Sequence, residues 1–497
     1  MSDEERTSTM STQTTIDQQH LFIGGAWVAP RGGHRIAVIS ASTEEPIGSV
    51  PEATNADVDA AVAAARRAFE DPTGWATWEP ERRAATLERL ADALDARGPQ
   101  IARRVAQQNG MPIAIAEQTE AVFPGLLARY YAGLVRQLPE AEDRVGLLGG
   151  RIHVRRGPIG VVAAIVPWNF PQVLTMFKLA PALAAGCSVV VKPSPETVLD
   201  AQLLAEAIEE SGIPEGVVSI VPAGREVGAY LVSHPGIDKV AFTGSTAAGR
   251  AIATACGGLL RPVTLELGGK SAAIVLDDAD LASSVEELFG ATLLNNGQTC
   301  FLGTRVLAPR ERYDEVVVLL GALADGLVVG DALDPATQIG PLASARQRDR
   351  VEGYVATGRA EGGRVVAGGT PAAQDRGFFV RPTIFADVDN RATVSREEIF
   401  GPVLAVIPYD GVDDATTIAN DSDYGLGGSV WTSDPERGQA VATRVQTGSI
   451  GINHFMLDPA APFGGVKASG IGRELGPEGL AAYQQLQSIY HPPAPAA

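Results

Sequence analysis

The chain has 497 residues, enough for two or three domains at roughly 100–200 residues each. Hydrophobic residues make up 45% and charged residues 20%, as in a globular protein, and the formal net charge of -19 makes nucleic acid and anionic membranes poor partners. Three cysteines (Cys187, Cys256 and Cys300) and no CxxC pair exclude a disulfide framework and a zinc site, so no metal is expected and a reduced, cytoplasmic setting is.

Residues 1–20 are polar, lack an apolar leader core and read as a disordered tail; the terminal HPPAPAA also reads as a loose end. No run of about eighteen apolar residues suggests a membrane span. Folded structure is expected from Leu21, with LFIGGAWV as a hairpin around Gly24 and Gly25. Asn55 is placed as the cap of a helix with Val58, Val62, Ala65 and Phe69 on one face. A second helix is predicted over 79–97, with Leu87, Leu90 and Leu94 along its stripe.

From Gly160 onward, short apolar runs (160–166, 188–191, 217–221, 239–243) alternate with helical stretches (175–185, 200–212). This is the pattern of βαβ units and a parallel sheet. The alternation resumes with strands at 272–276 and 400–407 and helices at 281–294, 311–327 and 343–361, implying a second α/β domain after about residue 268.

Several segments carry candidate chemistry. Cys187 lies beside a strand-like SVVV run and Cys256 among small residues, as structural thiols do, whereas Cys300 ends the polar turn NNGQTC. On context alone a structural role is the better reading of Cys300. Glu266, flanked by leucines in TLELGGK, is either an ion-pair partner or a general base raised by apolar surroundings. FTGSTAAG (242–249) follows a strand and opens a helix, so its amides can meet a pyrophosphate, although it is not the G-x-G-x-x-G fingerprint. PWNFP (167–171) and KPS (192–194) close parallel strands, where ligands bind; Asn169 there can stabilise an oxyanion. A plain turn explains each of these segments taken singly.

Together and in order, PWNFP (167–171), KPSPET (192–197), FTGS (242–245), LELGGK (265–270), NNGQTC (295–300), EIFGP (398–402) and PFGG (462–465) resemble the aldehyde dehydrogenase superfamily. The resemblance runs from about Leu21 to about Tyr490, and the 34-residue interval from Glu266 to Cys300 matches the family's. It implies an α/β fold with a doubly wound parallel-sheet cofactor domain (21–136 and 158–267), an α/β catalytic domain (268–480) and a small β flap for oligomerisation (137–157 and 481–497). Within the flap, Gly149 and Gly150 make the turn of a hairpin, and a homodimer or homotetramer is expected.

The same resemblance implies roles. Cys300 attacks the aldehyde carbon, and the Asn169 amide with the Cys300 N–H holds the oxyanion. The thiohemiacetal passes hydride to the nicotinamide, and Glu266 activates the water that hydrolyses the resulting thioester, with Lys178 and Glu474 as proton-relay partners. The cofactor residues are Ile165, Pro167, Trp168, Lys192, Ser194, Gly224, Gly228, Phe242, Gly244, Ser245, Leu267, Gly268, Glu398 and Phe400. Phe170, Leu174, Phe177, Phe301, Phe455, Met456 and Phe463 line the substrate tunnel, which favours an uncharged aliphatic or aromatic aldehyde. His454 could add one hydrogen bond, or be a loop histidine without a ligand role.

One position departs from the pattern. Many NAD-using relatives carry Glu three residues after the lysine; here Pro195 stands there, with Glu196 next. NAD is favoured because no new Arg or Lys follows Lys192, and NADP stays open. The presence of Glu266 argues against a CoA-acylating relative, and the intact Cys300, Glu266, Asn169, Lys192 and Glu398 argue against a non-catalytic one.

Overall fold

Alternation along the strands decides how the sheets are covered. Every residue of Val161–Ile165 is buried, yet Val162 and Ala164 join one core cluster while Val161, Ala163 and Ile165 join another. Val189 and Val191 likewise face away from Val190, and Ala241 away from Val240 and Phe242. A strand apolar on both faces needs helices on both faces, which is the doubly wound arrangement. The structure, a computed structural model, describes residues 15–492.

The first sheet has eight strands, in the order Gly470–Ile471, Val263–Glu266, Lys239–Thr243, Val161–Ile165, Ser188–Lys192, Val218–Ile220, Leu21–Ile23 and Ala26–Val28. The five inner members run parallel, and the outer ones join antiparallel. The second sheet has seven: Arg364–Ala367, Thr383–Ala386, Val403–Tyr409, Arg305–Pro309, Ala272–Val275, Gly428–Trp431 and Gly451–Ile452. Only its Arg364–Ala367 edge is antiparallel. A three-stranded antiparallel sheet of Ala141–Val145, Arg151–Pro158 and Gln484–His491 stands apart, its hairpin turned by Gly149 and Gly150 at positive φ. One apolar cluster reaches across both large sheets, holding Val162 and Ala164 of the first with Ala273 and Val275 of the second.

Several elements differ from the sequence reading. The predicted tail is not wholly without structure: Ile16–Asp17 pairs parallel with Gly48 and Ser49 of the strand Pro46–Pro51, because that strand has an open edge. Residues 1–14, the rest of that tail, and 493–497 of the terminal HPPAPAA lie outside the described residues. Thr54, not Asn55, caps the helix Asn55–Glu70, in a reciprocal capping box with Asp57. The helix predicted to stop at residue 97 runs on as Pro80–Asn109 past Pro99, since its buried face continues through Ile101, Ala102 and Val105. The strand expected from Phe400 begins at Val403, because Phe400 adopts φ 62°. The helix expected over 281–294 is confined to Val285–Thr292. Gly470–Ile471 returns to pair with Leu265 and Glu266, so the first sheet draws on both sides of residue 268.

The helix Pro171–Ala185, which follows Asn169, is buried along all fifteen of its residues. Such a helix packs on every side, and it carries Lys178 into the interior. Arg305, at the start of a central strand of the second sheet, is also buried. It donates to Lys270 O (2.9 Å), Asn390 Oδ1 (2.8 Å), Ile418 O (2.9 Å) and Ala419 O (2.9 Å). Burial brings its pKa down to about 10. Arg305→Leu strands those four acceptors and is expected to cost about 3 kcal/mol or more. The measurement is the urea unfolding midpoint, and an unchanged midpoint would contradict that role.

Candidate active site

Asn169 follows the strand Val161–Ile165 and precedes the buried helix. Its carbonyl accepts from Asn109 Nδ2 at 3.1 Å and Asn295 Nδ2 at 3.0 Å, and its own amide donates to Gln298 O at 3.0 Å. Asn169 is therefore stitched to the turn that bears Cys300.

That turn is unusual backbone. Asn295, Asn296 and Gly297 adopt φ of 52°, 60° and 72° in succession. Such conformations persist only when surroundings over-determine them. Asn296 Nδ2 donates to Gly110 O (2.8 Å) and Pro341 O (2.9 Å), and its Oδ1 accepts from Gly340 N (2.7 Å). Gln298 Oε1 accepts from Ala343 N at 3.0 Å. Behind Cys300, Gly269 passes so close that a Cβ there would lie 2.3 Å from Cys300 O. Cys300 keeps partial exposure, while Cys187 and Cys256 are buried. Burial, then the carboxylates of Glu398 and Glu266, raise the Cys300 pKa far above that of a free thiol, so the resting group is neutral.

Glu266 ends the strand Val263–Glu266 and is 2% exposed. Neither carboxylate oxygen has a hydrogen-bond partner among the described residues. A Cβ on Gly464 would sit 2.7 Å from Oε1, so only glycine leaves room there. Burial and the neighbouring Glu474 raise the Glu266 pKa well above the usual carboxylate range. Beneath it, Lys178 Nζ donates to Glu474 Oε1 at 2.8 Å and to Thr243 Oγ1 at 2.6 Å. Glu474 in turn exchanges two 2.7 Å backbone bonds with Phe463.

Two cavities meet at Cys300 and Asn169, which line both. The larger, about 500 Å³, is walled by Pro167, Trp168, Gly244, Ser245, Leu267, Gly268, Glu398 and Phe400, all expected, and reaches Glu266. Ser245 caps the helix Thr246–Gly258, whose N-terminus opens on this space. Glu398 Oε1 accepts from Gly269 N at 3.0 Å, and burial pushes its pKa up to about 7. Phe400, held at φ 62°, meets Trp168 edge-on with centroids 5.3 Å apart.

Other expected cofactor residues stand off this wall. Ile165 and Phe242 point into the strand–helix core. Lys192 is buried, donating to Pro193 O (2.9 Å) and Ala223 O (2.7 Å), and burial brings its pKa down to about 8 against the opposing pull of Glu196 and Glu52. Gly228 packs on the Lys192 side chain, Gly224 N donates to Glu52 Oε1 at 3.0 Å, and Ser194 Oγ donates to Glu196 at 2.6 Å.

The second cavity, about 60 Å³, is wholly apolar in its exposed lining and includes Phe170, Leu174, Phe177, Phe301, Met456 and Phe463. Phe455 is not on its wall; it stacks edge-on behind Phe301 at 4.9 Å, and His454 lines a separate neighbouring cavity. Sequence reasoning missed Thr119, Phe123, Leu294 and Thr299 here, and Thr243, Arg346, Gln347 and Arg350 on the larger cavity. Thr243 and Thr299 lay inside quoted motifs and were findable; the others sit on helices or loops whose pattern gives no such signal.

The aldehyde dehydrogenase family profile matches residues 27–489. Geranial dehydrogenase of Castellaniella defragrans is 57% identical over 476 residues, covering 96% of this chain and 99% of that one. The crystal structure of a Mycobacterium tuberculosis aldehyde dehydrogenase complexed with NAD+ matches with a TM-score of 0.95 at 48% identity, covering 97% of this chain and 100% of the other. A Pseudomonas syringae aldehyde dehydrogenase mutant solved with NAD+ and octanal matches with a TM-score of 0.92 at 39% identity, over 96% of this chain and 98% of its own. With its fold, its paired cavities and near-complete coverage in agreement, this chain belongs to the aldehyde dehydrogenase family.

Proposed function

We propose that this enzyme oxidises an uncharged, apolar aldehyde to the carboxylic acid with NAD+, through a thioester on Cys300 hydrolysed by water that Glu266 activates. The observation that carries the reading is the shared position of Cys300 and Asn169 between a polar cleft and an apolar pocket. The cleft suits a dinucleotide: its volume of about 500 Å³, a helix N-terminus capped by Ser245, and the Glu398 carboxylate all fit phosphates and ribose. When bound, NAD+ would supply the hydride acceptor and a positive charge. The apolar pocket matches a relative named for geranial and a neighbour solved with octanal.

In this mechanism the Cys300 thiol gives its proton to water in the cleft, and the thiolate adds to the carbonyl carbon. The free N–H of the Asn169 amide and the Cys300 backbone N–H donate to the developing oxyanion. After hydride departs, Glu266 takes a proton from water, whose oxygen attacks the thioester and releases Cys300. Glu474 Oε2 has no partner among the described residues and stands as the next acceptor, with Lys178 holding the other oxygen.

In the same reading, residues 21–136 and 158–267 form the dinucleotide-binding domain, 268–480 the catalytic domain, and 137–157 with 481 onward the oligomerisation flap of a homodimer or homotetramer. Supporting the last point, Leu147 and Leu148 are fully exposed at the flap's hairpin tip. A cytoplasmic location accords with three free cysteines. No helix among the described residues is long and apolar enough to cross a membrane.

Cys300→Ala is expected to abolish NADH formation while dinucleotide binding persists; turnover by that variant overturns the mechanism. Glu266→Gln should slow deacylation about 10²–10⁴-fold, leaving a burst of NADH followed by a slow steady state. Equal steady-state rates in the two proteins count against the base. Because the Glu266 pKa is raised, the carboxyl is protonated and inert at low pH, so deacylation should rise with pH through that pKa and level off above it. Single-turnover thioester decay measured against pH checks this, and Glu266→Gln should flatten the profile.

A further inference from the structure

An ion pair at the rim of the cleft has no part in the proposed chemistry. Arg346 Nη2 lies 3.1 Å from Glu196 Oε1, and Glu196 Oε2 accepts from Ser194 Oγ at 2.6 Å. The arginine side chain is 80% exposed and the glutamate 24%. Arg346 comes from the first turn of the helix Ala345–Ala360, and it lines the same cavity as Cys300 and Glu398. No new Arg or Lys follows Lys192 along the chain, but folding brings one in from 150 residues away.

Position gives the pair its meaning. Glu196 follows closely on Lys192, the last residue of Ser188–Lys192, which pairs parallel with Val161–Ile165. In doubly wound sheets an acid just beyond that second strand binds the adenosine ribose hydroxyls, and a nearby arginine accommodates a 2′-phosphate. Glu196 is the only acid in the segment KPSPET, and its charge alone would repel such a phosphate. Arg346 neutralises it. The neighbouring Lys192 ammonium already donates to Pro193 O and Ala223 O, which leaves it a single N–H for the ribose.

We propose that Arg346 lets this enzyme admit NADP beside NAD: it leaves Glu196 and pairs with the 2′-phosphate of the adenosine ribose. This rests on the dinucleotide reading of the cleft. An exposed ion pair contributes little and is readily exchanged. A guanidinium meets a phosphate through two parallel hydrogen bonds, a stronger match than one contact to a carboxylate already held by Ser194. With NAD+ there is no phosphate to compete, and the pair stays closed.

The test is direct binding, read by quenching of tryptophan fluorescence from the Trp168 wall of the cleft, with NAD+ and NADP+ as separate ligands. For Arg346→Ala, the Kd for NADP+ relative to that for NAD+ should rise about tenfold or more. Arg346→Lys should recover part of that loss, and Glu196→Gln should shift the ratio the other way. The wild-type affinity for NADP+ should fall more steeply with salt than that for NAD+, and Arg346→Ala should remove the difference. If both ligands bind and Arg346→Ala leaves the ratio within about twofold of wild type, Arg346 is not what admits NADP. If the wild-type protein binds neither ligand, the dinucleotide reading fails, and this inference with it.

Discussion

A buried carboxylate that nothing hydrogen-bonds is unfavourable by several kcal/mol unless it takes up a proton. Glu266 is held in that condition, with both oxygens unpartnered among the described residues and Gly464 closing on one of them. A leucine would satisfy the strand end at lower cost. The surrounding fold compensates by fixing the groups below: Lys178 on a wholly buried helix, Glu474 bonded to it, and Thr243 on the adjacent strand. The carboxyl is thereby kept where its raised pKa suits proton abstraction from water, in a position no solvent-facing glutamate could hold.

Around that carboxyl the two sheets make different contributions. The first carries Asn169 just past one parallel strand and ends two others at Thr243 and Glu266, so all three come from the carboxyl ends of neighbouring strands of one sheet. The second brings Cys300 in on a turn whose three left-handed residues are pinned by Asn296 and Gln298 to loops at 110 and 340–343. One core cluster spans both sheets, so the thiol and the amide are positioned by the same packing. Asn169 bonds to Asn109, Asn295 and Gln298 at once and cannot shift without breaking that set.

Charge in the cleft is graded as well. Burial raises the pKa values of Glu398, Glu266 and the Cys300 thiol, and the two carboxylates raise the thiol further, so the cleft favours neutral forms. A bound cofactor with a cationic ring would lower the cost of the thiolate, which would couple nucleophile activation to cofactor binding in the proposed reaction. The apolar pocket on the other side carries no exposed polar lining to compete for the carbonyl oxygen.

Much of this was legible in the chain. The strands themselves and their two-sided burial follow from apolar runs such as VVAAI and SVVVK, because side-chain period is a local property. Cys300, Glu266 and Asn169 were picked out only through the ordered set of motifs that resembles the aldehyde dehydrogenases, since singly each also reads as a structural thiol, an ion-pair partner or a turn. Helix ends were less so: Thr54 took the cap in place of Asn55, and Pro99 did not stop a helix whose buried face continued. What only the tertiary structure decided is which distant segments touch. Gly470–Ile471 returns to the first sheet, Phe455 stands behind Phe301 and off the pocket wall, and Arg346 lands on Glu196. Such contacts arise from how layers pack, and packing between remote segments leaves no periodic mark in the sequence that either segment carries alone.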